Sequence, residues 1–240
     1  MRWHRSEAVI SYCDLSMIYL YALCPNSTET NNLPEGIGTA QVEVLTVGTL
    51  GAVIERDVDI AQIQKDDAQL MAAVLAHDRI LSHLFTYSPL LPLRFGTQFS
   101  NSEAVTTFLK TQGETYRQKL SHLQDRAEYL VKLIPQPLDL PAIASDLKGR
   151  EYFLAKKQRL QDHTAALNQQ ADELQTFLTD LATQDIPLVR SAPQDHEERL
   201  HVLLSRDTDT TEQVIMTWQE QLPNWQVVCS EPLPPYHFAA

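Results

Sequence analysis

Cysteine, glycine and basic residues are all scarce in this chain of 240 residues. Its three cysteines form no Cys-x-x-Cys pair, which disfavours a thiolate zinc site and is typical of a reducing compartment. Seven glycines and 13 prolines are too few for a fibrous or low-complexity protein. The chain has 19 Lys and Arg residues and 31 Asp and Glu residues, so its net charge is −12. This negative charge disfavours nucleic acid and anionic lipid as partners.

Long apolar runs are missing as well. The apolar stretch at residues 17–24 is far shorter than the about 20 residues that a membrane-spanning helix needs. It is also no secretory signal, because polar residues interrupt the apolar sequence before it. We therefore expect a cytoplasmic protein, and the 43% of hydrophobic residues is enough for a packed interior.

The first half of the chain, residues 1–125, is predicted to be a small α+β domain. Residues 17–23 have the composition of a buried strand, and residues 41–55 that of a β-hairpin with a Gly-containing turn. Helical periodicity marks residues 67–85, and the capping-box pattern Ser-Asn-Ser-Glu at 100–103 opens a second helix.

The first of these helices carries a histidine on an apolar stripe that we expect to be buried. The stripe consists of Leu70, Val74, His77, Leu81 and Leu84, with Met71, Leu75 and Phe85 beside it. His77 with Asp78 could form an acid–base pair, but a structural histidine bonded to the backbone is the preferred interpretation.

The second half, residues 126–240, alternates strand and helix patterns. They fall at residues 128–134 (strand), 146–183 (helix), 187–190 and 199–204 (strands), 210–222 (helix) and 225–229 (strand). The order βαββαβ is the split βαβ plan of ferredoxin-like domains. We therefore predict a two-domain α+β protein: an N-terminal domain with a small sheet and two main helices, then a ferredoxin-like domain with an extended first helix and a Pro-rich tail.

The predicted helix at 146–183 is too long for such a domain, since it would span roughly 55 Å. Apolar residues recur along it at every seventh position. They are Phe153, Leu160, Leu167, Leu174 and Leu181. Two interpretations remain open: an extended helix packed on its own protein, or a protruding arm that docks a partner helix.

Motifs for catalysis or cofactor binding are absent from the sequence. There is no Gly-x-Ser-x-Gly or Ser-x-x-Lys nucleophile motif, and no glycine-rich phosphate loop. His196 and His201 lie near a predicted turn between strands, where a metal-ligand role is disfavoured. We assign no catalytic residue, cofactor or metal, and expect no enzyme.

Two segments have unusual compositions. Residues 89–97 place Arg94 within an apolar, Pro-bounded stretch, so we expect its side chain to be buried and paired with a carboxylate or with carbonyls. Residues 231–238 form a Pro-rich tail whose aromatic residues Tyr236 and Phe238 must either pack or be exposed.

These segments resemble the gas vesicle protein GvpF/GvpL family. The residues that carry the resemblance are Tyr19-Leu-Tyr21, His77 with Leu81 ahead of Pro92-Leu-Arg-Phe-Gly-Thr97, Gly149-Arg-Glu-Tyr152 and Pro232-Leu-Pro-Pro-Tyr-His-Phe238. The usual family ending is similar to Gly-Pro-Leu-Pro-Pro-Tyr-Ser-Phe, from which this chain departs at Glu231 and His237.

The resemblance implies an accessory or minor structural protein of the gas vesicle, the gas-filled buoyancy organelle of planktonic microbes. It would act in assembly by binding the hydrophobic shell protein GvpA, with other accessory proteins as further partners. The candidate contact or motif residues are Arg94, Phe95, Phe153, Leu160, Leu167, Leu174, Tyr236 and Phe238. The alternative is a small-molecule-binding or enzymatic module, since ferredoxin-like domains host many functions.

Overall fold

The computed structural model describes residues 16–28 and 33–239. Contacts divide the chain into two units, one ending at Gln124 and the other running from Asp125 to Phe238. Each unit has its own antiparallel sheet and its own helices, so the predicted α+β class is confirmed. Along the described part of the chain, no helix is long and apolar enough to cross a membrane.

The first unit is built around a five-stranded sheet. Its elements are β1 (Ile18–Pro25), β2 (Glu43–Val47), β3 (Leu50–Arg56), α1 (Ile60–Ile63), α2 (Asp67–Tyr87), β4 (Leu91–Pro92), β5 (Gln98–Phe99) and α3 (Ser102–His122). The strand order is β2-β3-β1-β4, with β5 also pairing with β1. β1 has paired strands on both edges and is buried along almost its whole length, as its continuous apolar sequence requires.

The buried face of α2 differs from the predicted stripe. Met71 is 61% exposed and Leu75 is 60% exposed, and Val74 is exposed as well. The residues that face the core are Ala73, Ala76, His77, Ile80, Leu81, Leu84 and Phe85. The prediction for the first turns was wrong because alanines, which let a helix approach a sheet closely, occupy the inner face there.

The cap of α3 also differs slightly from the prediction. Asn101, not Ser100, is the N-cap, and its side chain accepts a hydrogen bond from the amide of Ala104 at 2.8 Å. Asn and Ser are almost equally good caps, so composition alone could not choose between two adjacent residues.

The second unit contains a four-stranded sheet with two helices. Its elements are β6 (Arg126–Pro135), α4 (Gly149–Thr183), β7 (Leu188–Gln194), β8 (Glu197–Ser205), α5 (Thr208–Gln221) and β9 (Trp225–Cys229). The strand order is β7-β8-β6-β9. Each helix therefore connects two strands that have one other strand between them, which is the split βαβ arrangement.

Only the C-terminal part of α4 packs on this sheet. Residues 149–169 include no buried side chain, and burial begins at Gln170. Gln170 Nε2 donates to the carbonyls of Gln136 and Asn224, both at 2.9 Å, and its own carbonyl accepts from the Trp225 indole at 3.1 Å. These bonds fix the point from which the rest of α4 extends.

Two of the cysteines are free thiols in apolar surroundings. Cys24 is buried and Cys229 is partly buried, while Cys13 lies outside the described residues. Burial raises the pKa of each of the two thiols to about 11, so neither is a reactive thiolate at neutral pH.

The hairpin between β7 and β8 turns through two residues with left-handed backbone. Asp195 and His196 have φ of 53° and 67°, and their side chains are exposed. Two consecutive positive φ values are typical of a type I′ turn, which favours glycine at the second position. We therefore predict that His196→Gly raises the free energy of unfolding by about 0.5–1 kcal/mol.

Chemical denaturation of the two proteins measures this difference. His196→Ala is the matched control, because it removes the same exposed side chain and keeps the Cβ that strains the turn. Equal stabilisation by both variants would show that the imidazole, not the backbone, is responsible.

Candidate partner-binding surfaces

Two tyrosines of β1 hold neighbouring segments through buried hydrogen bonds. Tyr19 Oη lies 2.8 Å from His77 Nδ1 on α2 and accepts from the Gly96 amide at 3.2 Å. Tyr21 Oη donates to the carboxylate of Glu55 at 2.5 Å. Burial raises the pKa of both phenols, so they remain protonated and able to donate.

The Glu55 carboxylate is completely buried and fixes the loop before β2. It accepts hydrogen bonds from the backbone amides of Ile37 and Gly38, each at 2.8 Å, in addition to that from Tyr21. A Cβ at Gly36 would collide with Oε2, which explains why this approach to the carboxylate needs glycine. Tyr-Leu-Tyr on β1 is thus a structural motif that positions two loops.

Arg94 is exposed, so the prediction of a buried, paired guanidinium is wrong. No hydrogen bond or ion pair to this guanidinium is found within residues 16–28 and 33–239. Its backbone carbonyl accepts from the Thr97 amide at 3.1 Å and from the Thr97 hydroxyl at 2.7 Å. The segment is a tight turn between β4 and β5 rather than one strand, and this turn directs Arg94 outward.

Phe95, the next residue in the turn, packs inward. Its ring contacts those of Tyr19 and His77 edge to face, with centroids 6.1 and 5.8 Å apart. Phe95 therefore belongs to the cluster that holds the turn, and within this pair of motif residues only Arg94 is available to a partner.

The apolar stripe of α4 is exposed along its N-terminal half. Phe153 is 70% exposed, Leu160 66% and Leu167 46%, whereas Leu174 is half-buried and Leu181 is buried. The predicted heptad pattern thus divides into an inner part, which packs on the sheet, and an outer part, which does not. Large apolar side chains in a row on a surface mark an interaction site.

The exposed stripe forms one wall of an open groove of about 880 Å³ in the second unit. The opposite wall comes from the segment after β6. The apolar lining consists of Pro135, Leu138, Leu140, Phe153, Leu160 and Leu167. The groove follows the helix axis, a shape that fits an elongated apolar partner.

Basic residues line the α4 wall of this groove although the whole chain is acidic. Lys156, Lys157 and Arg159 line it, and residues 149–163 carry four basic side chains against two acidic ones. Lys156, Lys157 and Arg159 lie beyond the first turn of α4, where the helix dipole has little effect on a charge. Their position beside the groove gives this surface a local positive charge.

The Pro-rich tail is anchored on the second unit. Leu233 exchanges two backbone hydrogen bonds with Glu128 of β6, at 2.8 and 3.1 Å, and Pro234 and Pro235 are buried. Tyr236 is 38% exposed and Phe238 is half-buried. Most of the tail thus packs on the unit, and Tyr236 and His237 are its exposed aromatic side chains within residues 231–239.

A further exposed apolar patch, on α2 of the first unit, was missed by the sequence interpretation. It consists of Met71, Val74 and Leu75. The signal was present: apolar residues cover more than one face of these turns, which a single buried stripe does not explain.

Comparison with known proteins points to one family. The family model described as "Gas vesicle synthesis protein GvpL/GvpF" matches residues 17–240. Gas vesicle protein F of Streptomyces sp. (strain CB03234) is 29% identical over 119 residues. That aligned stretch covers 48% of this chain and 47% of the relative, so the chain matches about half of its length.

Two solved structures share the fold. The crystal structure of the gas vesicle protein GvpF from Anabaena sp. PCC7120 superposes with a TM-score of 0.66 at 17% identity, covering 94% of this chain and 98% of that one. The crystal structure of GvpF from Microcystis aeruginosa gives a TM-score of 0.62 at 16% identity, covering 94% and 99%.

The burial of His77 predicts a loss of stability in acid. Burial lowers its pKa from 6.5 to about 4, against the opposing effects of a hydrogen bond with the Leu93 backbone and the charge of Asp78. The folded protein therefore binds this proton less well than the unfolded chain. The free energy of unfolding should fall by on the order of 3 kcal/mol as the pH drops from 6.5 to about 4.

Denaturation at several pH values tests this dependence. The fall should be weaker in His77→Gln and unchanged in His83→Gln, which alters a less buried histidine on the same helix. If His77→Gln kept the full pH dependence, another group would be its source.

The exposure of Arg94 makes a second prediction. Arg94→Ala should change the free energy of unfolding by less than about 0.5 kcal/mol, because surface substitutions without partners rarely do more. A drop of several kcal/mol in chemical denaturation would contradict the exposed position.

Proposed function

Because this chain belongs to the gas vesicle synthesis protein GvpL/GvpF family, we propose that it is an accessory protein that binds the hydrophobic shell protein GvpA during gas vesicle assembly. Its place of action would be the forming vesicle in the cytoplasm, and its role would be non-catalytic. The observation that carries the proposal is the exposed apolar stripe of α4, which Phe153, Leu160 and Leu167 form along an open groove.

A shell protein needs a partner of this kind before it joins the wall. Its apolar face must be covered while it is in water, and a groove can cover it by receiving an amphipathic helix. Full burial of a large apolar side chain contributes about 1.5–3 kcal/mol. Phe153, Leu160 and Leu167 are 70%, 66% and 46% exposed in the free protein. Their burial against a partner would therefore contribute several kcal/mol to the binding free energy.

The basic half of α4 adds a charge preference. Lys156, Lys157 and Arg159 beside the groove would attract acidic groups that flank the apolar face of the partner. Charges at a rim mainly raise association rates and contribute little to affinity. We therefore propose apolar area as the main source of affinity, with Arg94 and Tyr236 outside the principal contact.

The open shape of the groove favours a helix over a small molecule. A small-molecule pocket encloses most of its ligand and directs a few polar groups at it. This groove instead runs beside an exposed helix. The shape thus supports a protein-binding role over a small-molecule-binding or enzymatic one.

A substitution in the stripe should weaken binding without unfolding the protein. Leu160→Asp places a charge in the groove at a side chain that the fold does not bury, so we expect at least a tenfold loss in affinity for purified GvpA. Leu154→Asp is the matched control, since Leu154 lies on the same helix, is 56% exposed and does not line the groove. Binding is measured by pull-down and by titration across a salt series.

Two outcomes would overturn this assignment. Loss of binding in Leu75→Asp but not in Leu160→Asp would place the contact on the exposed patch of α2. Disappearance of wild-type binding at moderate salt would show that charge, not apolar area, carries the affinity.

Tyr236→Ala tests the contribution of the tail to binding. It disturbs the fold less than a truncation after Leu233, which would remove the buried Pro234 and Pro235.

A further inference from the structure

Three potential metal ligands meet in the second unit, where the tail crosses the sheet. Glu128 comes from β6, His201 from β8 and His237 from the Pro-rich tail. Glu128 Oε1 lies 2.9 Å from His201 Nδ1 and 2.7 Å from His237 Nδ1, and the three donor atoms lie within 4.8 Å of one another.

The carboxylate of Glu128 is held in place by the tail itself. Its Oε2 accepts a hydrogen bond from the His237 backbone amide at 2.8 Å, which leaves Oε1 facing the two imidazoles. The Glu128 side chain is only 1% exposed. Within the described ranges no Lys or Arg pairs with it, so this buried carboxylate lacks a permanent cation.

We propose that Glu128 Oε1, His201 Nδ1 and His237 Nδ1 form a binding site for a divalent transition-metal ion of the zinc class. Two imidazoles and one carboxylate are a ligand set that zinc accepts, with one further position left for water or another ligand. Imidazole also favours zinc and its neighbours in the first transition row over magnesium and calcium. The ion would supply the positive charge that the buried carboxylate lacks.

Little movement is needed to admit the ion. Ligands about 2.0–2.2 Å from a tetrahedral zinc lie roughly 3.4 Å apart, so Glu128 Oε1 must move from each imidazole nitrogen by only about half an ångström, and the three donor atoms already lie within 4.8 Å of one another. The two rings are stacked, with centroids 3.6 Å apart and planes at 28°. They must open further for both nitrogens to aim at one ion, and the 39% exposure of the His237 side chain leaves this ring less confined than the 14% exposed His201.

The bound ion would tie the tail to two strands of the sheet. Each ligand comes from a different segment, and 109 residues separate Glu128 from His237. Metal binding would therefore stabilise the folded second unit and the docked tail, because the unfolded chain does not bring these ligands together. It would also hold Tyr236 beside the site in one orientation.

Titration of the metal-free full chain with Zn²⁺ tests the proposal. We expect one tightly bound equivalent and a higher melting temperature with Zn²⁺ than without it. Co²⁺ serves as a spectroscopic probe, because its visible absorption reports a low-coordinate site and thiolate ligands add near-ultraviolet bands. The expected spectrum shows the visible bands without those of a thiolate.

Three variants separate this site from other histidines and from simple unfolding. His237→Ser and Glu128→Gln should each weaken Zn²⁺ binding at least tenfold and abolish the rise in melting temperature. His163→Ser is the control: it removes an exposed histidine of α4 and should bind Zn²⁺ like the wild type. Circular dichroism establishes that each variant is folded before titration.

Several results would overturn the proposal. If the wild type bound Zn²⁺ no more tightly than Glu128→Gln does, the cluster would only hold the tail in place through hydrogen bonds. Wild-type affinity in both His237→Ser and Glu128→Gln would place the ion elsewhere. Thiolate bands in the Co²⁺ spectrum would assign the binding to a cysteine.

Discussion

A helix of 35 residues, about 52 Å long, cannot bury its whole apolar face on a sheet whose longest strand has ten residues and spans about 33 Å. This mismatch in length is the constraint on which the second unit depends. Gln170 marks the point where packing begins, and from there toward its N-terminus α4 presents Phe153, Leu160 and Leu167 to solvent. The exposed stripe follows from geometry, because nothing on the sheet can reach it.

Among residues 16–28 and 33–239, each unit buries one glutamate that organises backbone segments around it. Glu55 accepts from the loop before β2, and Glu128 accepts from the amide of the tail. A buried carboxylate is costly unless its lone pairs are satisfied, so each segment must stay docked for the unit to be stable. The Tyr-Leu-Tyr segment of β1 and the prolines of the tail, which carry the resemblance to the family, lie at these two docking points, which gives them a structural role. Glu128 differs in having two imidazoles beside it, and that difference makes a metal site conceivable there and not at Glu55.

The distribution of charge is as informative as its total. A net charge of −12 disfavours phosphate and lipid surfaces as partners of the whole chain, yet the exposed half of α4 is locally basic. An apolar stripe beside cations suits a partner that combines an apolar face with acidic groups. The proposed contact with a hydrophobic shell protein depends on this local surface rather than on the average composition.

By itself the sequence determined the class of the fold, the order of its main strands and helices and the family, because these depend on local periodicity and on motifs that are contiguous in the chain; the short α1 and the division of β4 from β5 were not predicted. Strand patterns at residues 17–23, 128–134 and 225–229 match β1, β6 and β9 to within two residues at either end. The heptad also identified Phe153, Leu160 and Leu167, although not which of its members would be exposed. Tertiary structure decided that division, the inner face of α2, the outward direction of Arg94 and the meeting of Glu128, His201 and His237. Each of these depends on which distant segment packs against a residue, and no spacing along the chain encodes that.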